Sequence, residues 1–252
     1  MTNKEIEKIE NKYLNKFYHF LKFAEDEMMS GFQTKEKIKD DWHGKYDSKI
    51  SNFAVGAERI VYSLFNGKGV GQPNSAPVGA DMFFEVEDAY IHIDLKTVQT
   101  RNIGDITKSI FVGRNQNSYK GTMLVNKGSD GVIERNYEPA LPTFYNKGKK
   151  DEKICLTFFV TIVYEDIDLN ILNINLICMP NGDLESHYGT RVLQAGKNPD
   201  KTRFRFTDVP VFELLEPNKS RVKVVYFDEK MNSDFKKSLS FYKDLYDKQD
   251  LC

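Results

Sequence analysis

Cysteine is scarce in this chain. Three are found in 252 residues, Cys155, Cys178 and Cys252, far apart and odd in number. That pattern argues against a disulfide framework or a cysteine-built zinc site and suits a reducing cytoplasm. The four histidines are equally scattered and suggest no metal-ligating group. Long apolar runs are missing too: none reaches the roughly 20 residues that cross a bilayer. The opening MTNKEIEKIE lacks the apolar core of a signal peptide. A soluble, cytoplasmic protein with no membrane partner is therefore expected. No charge sign dominates. Lys and Arg total 36 against 37 Asp and Glu, for a net charge of -1. A polyanionic partner would have to be met by local patches rather than by a basic coat. A phosphate-cradling glycine loop is absent. Gly67, Gly69 and Gly71 fall in a Gly-, Asn- and Pro-rich loop, but neither a Walker lysine-serine pair nor a Rossmann pattern accompanies them.

What is present centres on residues 77–97, PVGADMFFEVEDAYIHIDLKT. A short apolar run, Met82 to Val86, is followed by a turn and a second run ending in Asp94-Leu95-Lys96. Ile91, Ile93 and Leu95 share one parity; Tyr90, His92, Asp94 and Lys96 share the other. Strand side chains alternate faces, so this reads as a strand with one buried apolar face. Asp94 and Lys96 emerge together on the opposite face. If the runs pair as a hairpin around Glu87-Asp88-Ala89, Asp81 lies near Asp94.

Two carboxylates and an amine at one point suit a hard cation with a lysine beside it. Phosphodiester hydrolysis calls for such a set. Asp81 and Asp94 can hold Mg²⁺ through oxygen, with the Leu95 carbonyl as a further ligand. Lys96 can orient a water or stabilise charge on the phosphate. Beside two carboxylates it stays charged, which favours electrostatic orientation over proton abstraction.

Pro77 and Asp81, followed by Asp94-Leu95-Lys96, resemble the signature of the PD-(D/E)xK nuclease superfamily, in the style of type II restriction endonucleases. The resemblance covers Glu58 to Lys96; beyond that it extends to size and element order. It implies that Asp81, Asp94 and Lys96 are catalytic, and that Glu58, on the helix before the hairpin, contributes to the metal site. One departure is visible: Gly79 and Ala80 stand between the proline and the aspartate. The resemblance implies an α/β fold with a restriction-endonuclease-like core, a mixed central sheet flanked by helices. It also implies sequence-specific, Mg²⁺-dependent cleavage of double-stranded DNA to 5′-phosphate ends, by a homodimer in a restriction–modification system. A junction-resolving or repair nuclease, and a DNA-binding protein without catalysis, remain open alternatives.

After Lys96 the chain turns basic. In residues 97–122, Arg101, Lys108, Arg114 and Lys120 face only Asp105. Arg114, Asn115, Gln116, Asn117, Ser118 and Tyr119 offer groups able to bond base edges. With Gln99, Arg101 and Lys120 they are the first candidates for DNA contact; a polar surface loop is the alternative. A second candidate is 203–206, where Arg203 and Arg205 alternate with Phe204 and Phe206, as on a surface strand facing phosphates. His187 invites a general-base role, though a lone histidine carries little.

Apolar spacing predicts helices over residues 3–28, ended near Gly31, and 51–66, capped by Ser51 or Asn52. Residues 33–49 read as a short helix and loop with Trp42, His43 and Tyr46. A closing helix is predicted over 233–251. Predicted strands are 122–126, 154–164, 169–179 and 221–227. The 154–164 run is apolar on both faces, as a central strand is. The stretch from 134 to 152 is expected to be irregular, pinned by Tyr137, Phe144 and Tyr145. Cys155 and Cys178 read as core. No repeat or low-complexity linker divides the chain, so one domain over 1–252 is expected.

Overall fold

Thr2 starts the first helix. Its hydroxyl accepts from the Glu5 backbone N–H (3.3 Å) while the Glu5 carboxylate accepts from the Thr2 N–H (2.6 Å), a reciprocal cap. The computed structural model describes residues 1–42, 53–66, 69–76, 79–126, 131–166, 168–196, 201–205 and 220–249. Pro77, Ser51, Asn52, His43, Tyr46, Gly67 and Phe206 lie outside them.

Helix α1 (Asn3–Phe23) buries Ile6, Tyr13, Leu14, Phe17 and Leu21. The Phe17 ring meets Phe65 and Phe158 edge-on, at 5.5 and 5.1 Å. The helix predicted over 3–28 is interrupted at Ala24, and α2 (Glu25–Lys37) follows. Three acidic residues, Glu25, Asp26 and Glu27, fill the first turn of α2, where the helix dipole favours them. Gly31 does not end a helix. It sits inside α2, where an added Cβ would lie 3.2 Å from Ile60 Cδ1, so the glycine lets the two helices close together. Helix α3 (Lys39–Trp42) and helix α4 (Phe53–Asn66) complete this part.

The strands are β1 (Gln72–Pro73), β2 (Met82–Glu85), β3 (Ala89–Gln99), β4 (Ser109–Gly113), β5 (Gly121–Asn126), β6 (Val132–Tyr137), β7 (Phe144–Tyr145), β8 (Lys153–Tyr164) and β9 (Ile171–Cys178). After α5 (Glu185–Tyr188) come β10 (Leu193–Ala195), β11 (Lys201–Arg205) and β12 (Val222–Phe227). Helices α6 (Ser233–Ser238) and α7 (Ser240–Gln249) close the described chain, so the final helix is two, parted at Leu239.

The main sheet runs β1–β2–β3–β8–β9–β12, with β7 also on β8. β3 and β8 are parallel and the other pairs antiparallel, giving the expected mixed sheet flanked by helices. β8 lies in the middle of it and is buried from Ile154 to Tyr164. β9 alternates asparagines with apolar residues, yet both its faces are covered. Asn175 bonds Thr161 Oγ1 (3.1 Å) and Asn173 bonds the Tyr226 carbonyl (3.0 Å), which satisfies the buried amide donors. β4, β10 and β11 form a second, antiparallel sheet. β5 is the strand expected over 122–126; its hairpin partner β6 runs into the stretch expected to be irregular. VIERNY is polar at its centre, so pattern alone does not mark it as a strand.

Arg221, immediately before β12, is fully buried. It pairs with Glu7 (2.9 Å) and Glu10 (2.7 Å) of α1 and donates to the Tyr188 hydroxyl. This cluster locks α1 to the far end of the sheet. Burial pushes the Glu10 carboxyl upward, against the pull of Arg221. No described helix is long and apolar enough to cross a membrane.

Candidate active site

The β2–β3 hairpin forms around residues 86–88, with Met82 opposite Ile93. One step further that register brings Asp81 beside the Asp94–Leu95 peptide. Asp81 Oδ2 accepts from the Leu95 N–H at 2.6 Å. Asp81 is itself exposed.

The face of β3 opposite Ile91, Ile93 and Leu95 is not open, as the alternation had suggested. His92 is 1% and Asp94 5% exposed. The cause lies outside the strand: β3 is flanked by β2 and β8, and the chain after β4 covers Asp94. Asp94 Oδ1 accepts from Gln116 Nε2 at 2.7 Å. Lys96 Nζ lies 2.5 Å from Asp94 Oδ2, 3.1 Å from Gln116 Oε1 and 5.1 Å from the Phe159 ring centre. Burial pushes the Asp94 carboxyl up to about 6. The nearby Asp81 charge adds to the rise, while Lys96 and Gln116 oppose it.

Glu58, on α4, lines a cleft of about 370 Å³ with Arg59, Tyr62, Ser63 and Asp81. Its carboxyl is raised by partial burial and then by the Asp81 charge. Glu58, Asp81, Asp94 and Lys96 therefore form one neighbourhood, built from α4, the start of β2 and the end of β3. Among the described residues, no group of three His, Cys, Asp or Glu side chains forms a ready metal cage. The donor set still fits Mg²⁺, which keeps several waters and is commonly held by one or two carboxylates together with substrate phosphate. Asp94 Oδ2 is buried with the Lys96 ammonium against it, an oxygen already set in a field that favours a cation.

Gly79 accounts for the spacing before Asp81. Its φ is +35°, and an added Cβ would sit 1.7 Å from Asn115 Nδ2. The loop before Asp81 is thus shaped to receive Asn115.

The segment chosen for base contact divides. Gln116 belongs to the Asp94–Lys96 cluster. Asn117, Ser118 and Tyr119 are buried, which corrects the expectation that they reach DNA from this surface. Asn117 bonds the Tyr137 hydroxyl and the Gly113 carbonyl, Ser118 Oγ accepts from Gly182 N, and the Tyr119 hydroxyl donates to the Gly189 carbonyl. Their polar groups are spent holding the loop to the body. Arg114 is exposed but donates to the Glu138 carbonyl at 2.7 Å. Asn115, Lys120 and Arg205 are exposed, and Arg101 is exposed beside Asp166. Gln99 and Arg101 line a cleft of about 320 Å³ with Thr97, Val98, Asn102, Asp105 and Tyr164. Arg203 is tied to Asp105 and Ser109, so it braces the second sheet. His187 is exposed next to the Tyr188 ring. No sequence signal marked Gln116 as a partner of Asp94, since the pair is 22 residues apart and meets only through the fold.

This sheet order, with an acidic hairpin and a lysine at the end of β3, is the restriction-endonuclease-like fold. Two solved restriction endonucleases share it. BglI, bound to its DNA recognition sequence, matches over 89% of this chain and 91% of its own, with a TM-score of 0.65 and 15% identity. SfiI, a tetramer bound to cognate DNA, matches over 92% of this chain and 88% of its own, with a TM-score of 0.66 and 14% identity. The chain belongs to the family of the type II restriction enzyme MwoI: the model of that enzyme's N-terminal domain matches residues 2–169 and that of its central domain residues 171–227. It is accordingly an endonuclease of the type II restriction class, a DNA-binding hydrolase. The two matched segments meet in the turn between β8 and β9, which pair directly, so together they build one sheet. No curated protein sequence matches the chain.

Proposed function

We propose that this endonuclease cuts double-stranded DNA at a specific short sequence in a Mg²⁺-dependent reaction that leaves 5′-phosphate ends. The observation that carries the reading is the meeting of Asp81, Asp94 and Lys96 at the end of β3, where Asp81 bonds the Leu95 N–H and Lys96 pairs with Asp94. Asp81 and Asp94 would hold the cation, with the Leu95 carbonyl and Glu58 beside them. When bound, Mg²⁺ supplies Lewis-acid polarisation of the scissile phosphate and a more acidic water. Lys96 places a positive charge next to the phosphate and orients the water that attacks it. Asp94, largely shielded from solvent, keeps these groups in a medium where charge interactions are strong. Arg101, Lys120 and Arg205, which are exposed, and the half-buried Gln99 are the candidates for backbone or base contact.

The chain acts as a single domain and as a homodimer, since two symmetric sites suit the two strands of a twofold recognition sequence. The deciding experiment is digestion of long duplex DNA with Mg²⁺ and with EDTA, followed by sequencing of the cut ends. Discrete Mg²⁺-dependent fragments with one shared end sequence support the reading. Cutting confined to branched DNA would replace it with junction resolution. Binding without cutting of any DNA would leave a DNA-binding role only.

A further inference from the structure

We propose that Gln116 is a positioning residue for cleavage, one that holds Oδ1 of the Asp94 carboxylate and so turns Oδ2 toward Lys96. The inference rests on the reading of Asp94 and Lys96 given above and adds a residue to it.

The Gln116 amide is used at both ends. Nε2 donates to Asp94 Oδ1 (2.7 Å), and Oε1 accepts from Lys96 Nζ (3.1 Å) and from the Gly113 N–H (2.9 Å). Turning the amide over would set an oxygen against a carboxylate and an NH₂ against two donors, so the network allows one orientation. With Oδ1 occupied, the carboxylate cannot swing freely, and Oδ2 is kept against the Lys96 ammonium. A side chain engaged in this way is not available to read a base edge, the role its sequence position suggested.

The turn that carries Gln116 is held on several sides. The Arg114 carbonyl accepts from Ala140 N at 2.7 Å and Arg114 Nε donates to the Glu138 carbonyl. Asn117 bonds the Tyr137 hydroxyl. Asn115 packs on Gly79, two residues before Asp81. Gly113 leaves room for the turn, because a Cβ there would lie 2.8 Å from Asn115 Oδ1 and 3.3 Å from Gln116 Oε1. Consecutive residues of one turn thus touch the approach to Asp81 and the carboxylate of Asp94. That arrangement sets the two acids relative to each other, as partners behind metal ligands do elsewhere.

The test compares the native chain with Gln116→Leu, Gln116→Glu and Asp94→Ala. Four quantities are read: single-turnover cleavage, Mn²⁺ binding by calorimetry without DNA, DNA affinity by anisotropy in EDTA, and melting temperature. Gln116→Leu should lower the cleavage rate or the Mn²⁺ affinity by about 10- to 100-fold while DNA affinity and melting temperature stay near native. Gln116→Glu keeps an acceptor for Lys96 and Gly113 but loses the donor to Asp94. It should retain the fold and still show the rate loss. Native cleavage and native Mn²⁺ binding in both Gln116 variants would overturn the inference. So would a rate loss matched by an equal loss of DNA affinity or by unfolding in both. Cleavage surviving in Asp94→Ala would instead overturn the underlying site assignment.

Discussion

Asp81 and Leu95 are joined by a 2.6 Å hydrogen bond from the Leu95 N–H to Asp81 Oδ2. This contact brings the carboxylate just before β2 onto the peptide following Asp94. The same geometry exposes Asp81 and buries Asp94, so the two acids are chemically unequal. Asp81 stays open to solvent and substrate, whereas Asp94 is held in a poorly solvated place between Lys96 and Gln116.

Asp94→Ala and Asp81→Ala should each reduce cleavage by more than about 10²-fold. Asp81 is exposed, so Asp81→Ala should change the unfolding midpoint little; Asp94 is buried, but its loss removes a carboxylate whose ionised form burial disfavours, so Asp94→Ala should still fold. Glu58→Gln should cost less, on the order of tenfold, because it stands at the side of the same cleft. Plasmid cleavage at fixed Mg²⁺ checks all three, and full activity in Asp94→Ala would remove it from the site.

Cleavage should fall on the acid side near pH 6. The Asp94 carboxyl is pushed up to about 6 by burial, and cation binding needs it ionised. Protons and Mg²⁺ compete for it, so raising Mg²⁺ should move the acid limb to lower pH. A pH–rate profile at low and high Mg²⁺ tests this; a limb insensitive to Mg²⁺ would argue against Asp94 as a ligand.

His92 should make the fold acid-sensitive. Burial lowers its pKa to about 4, between the rings of Phe83 and Tyr145. A depressed histidine contributes stability that is full above the unfolded value near 6.5 and is lost as pH falls through about 4. The span corresponds to on the order of 3 kcal/mol. Asp94 works the other way. Its raised pKa contributes stability below about 3.8 that is lost as pH rises through about 6. His92→Phe should therefore flatten the fall in stability between pH 6.5 and 4, measured by urea unfolding. An unchanged pH slope would show that His92 does not carry the effect.

Gly79→Ala should destabilise the loop before Asp81. The positive φ costs about 1 kcal/mol or more for a residue with a side chain, and the new Cβ would press on Asn115. Pairing it with Asn115→Gly should recover the part due to the clash and not the part due to φ. Calorimetric melting of the two variants separates the terms, and native melting of Gly79→Ala would refute both.

Arg221→Met should be costly. It strands Glu7 and Glu10 without their cation in the interior, an uncompensated burial worth about 3–5 kcal/mol. Adding Glu7→Gln and Glu10→Gln should restore much of the loss, because neutral amides carry a smaller desolvation cost. Denaturant melts of the single and triple variants decide it; equal stability of the two would contradict the ion-cluster account.

The alternation of residues 82–96 and the acidic-then-lysine spacing were legible without coordinates, because a hairpin and its strand faces are set by local geometry. The same holds for α1, α4, β8 and β12, whose apolar periods mark them. The break at Ala24, the β6 strand and the burial of Asn173 and Asn175 were not legible. Each depends on what another part of the chain packs against. The polar run 114–119 was the plainest case: its composition suggested a surface, and the fold buried half of it.

The sequence by itself determined that two carboxylates and a lysine would meet on a hairpin, since period and turn placement are properties of neighbouring residues. Only the tertiary structure decided that Asp94 would be buried, that Glu58 would face Asp81, and that Gln116 would bind the Asp94–Lys96 pair. Those contacts join segments far apart in the chain, and their desolvation and hydrogen bonds exist only once α4, β3 and the turn after β4 are packed together.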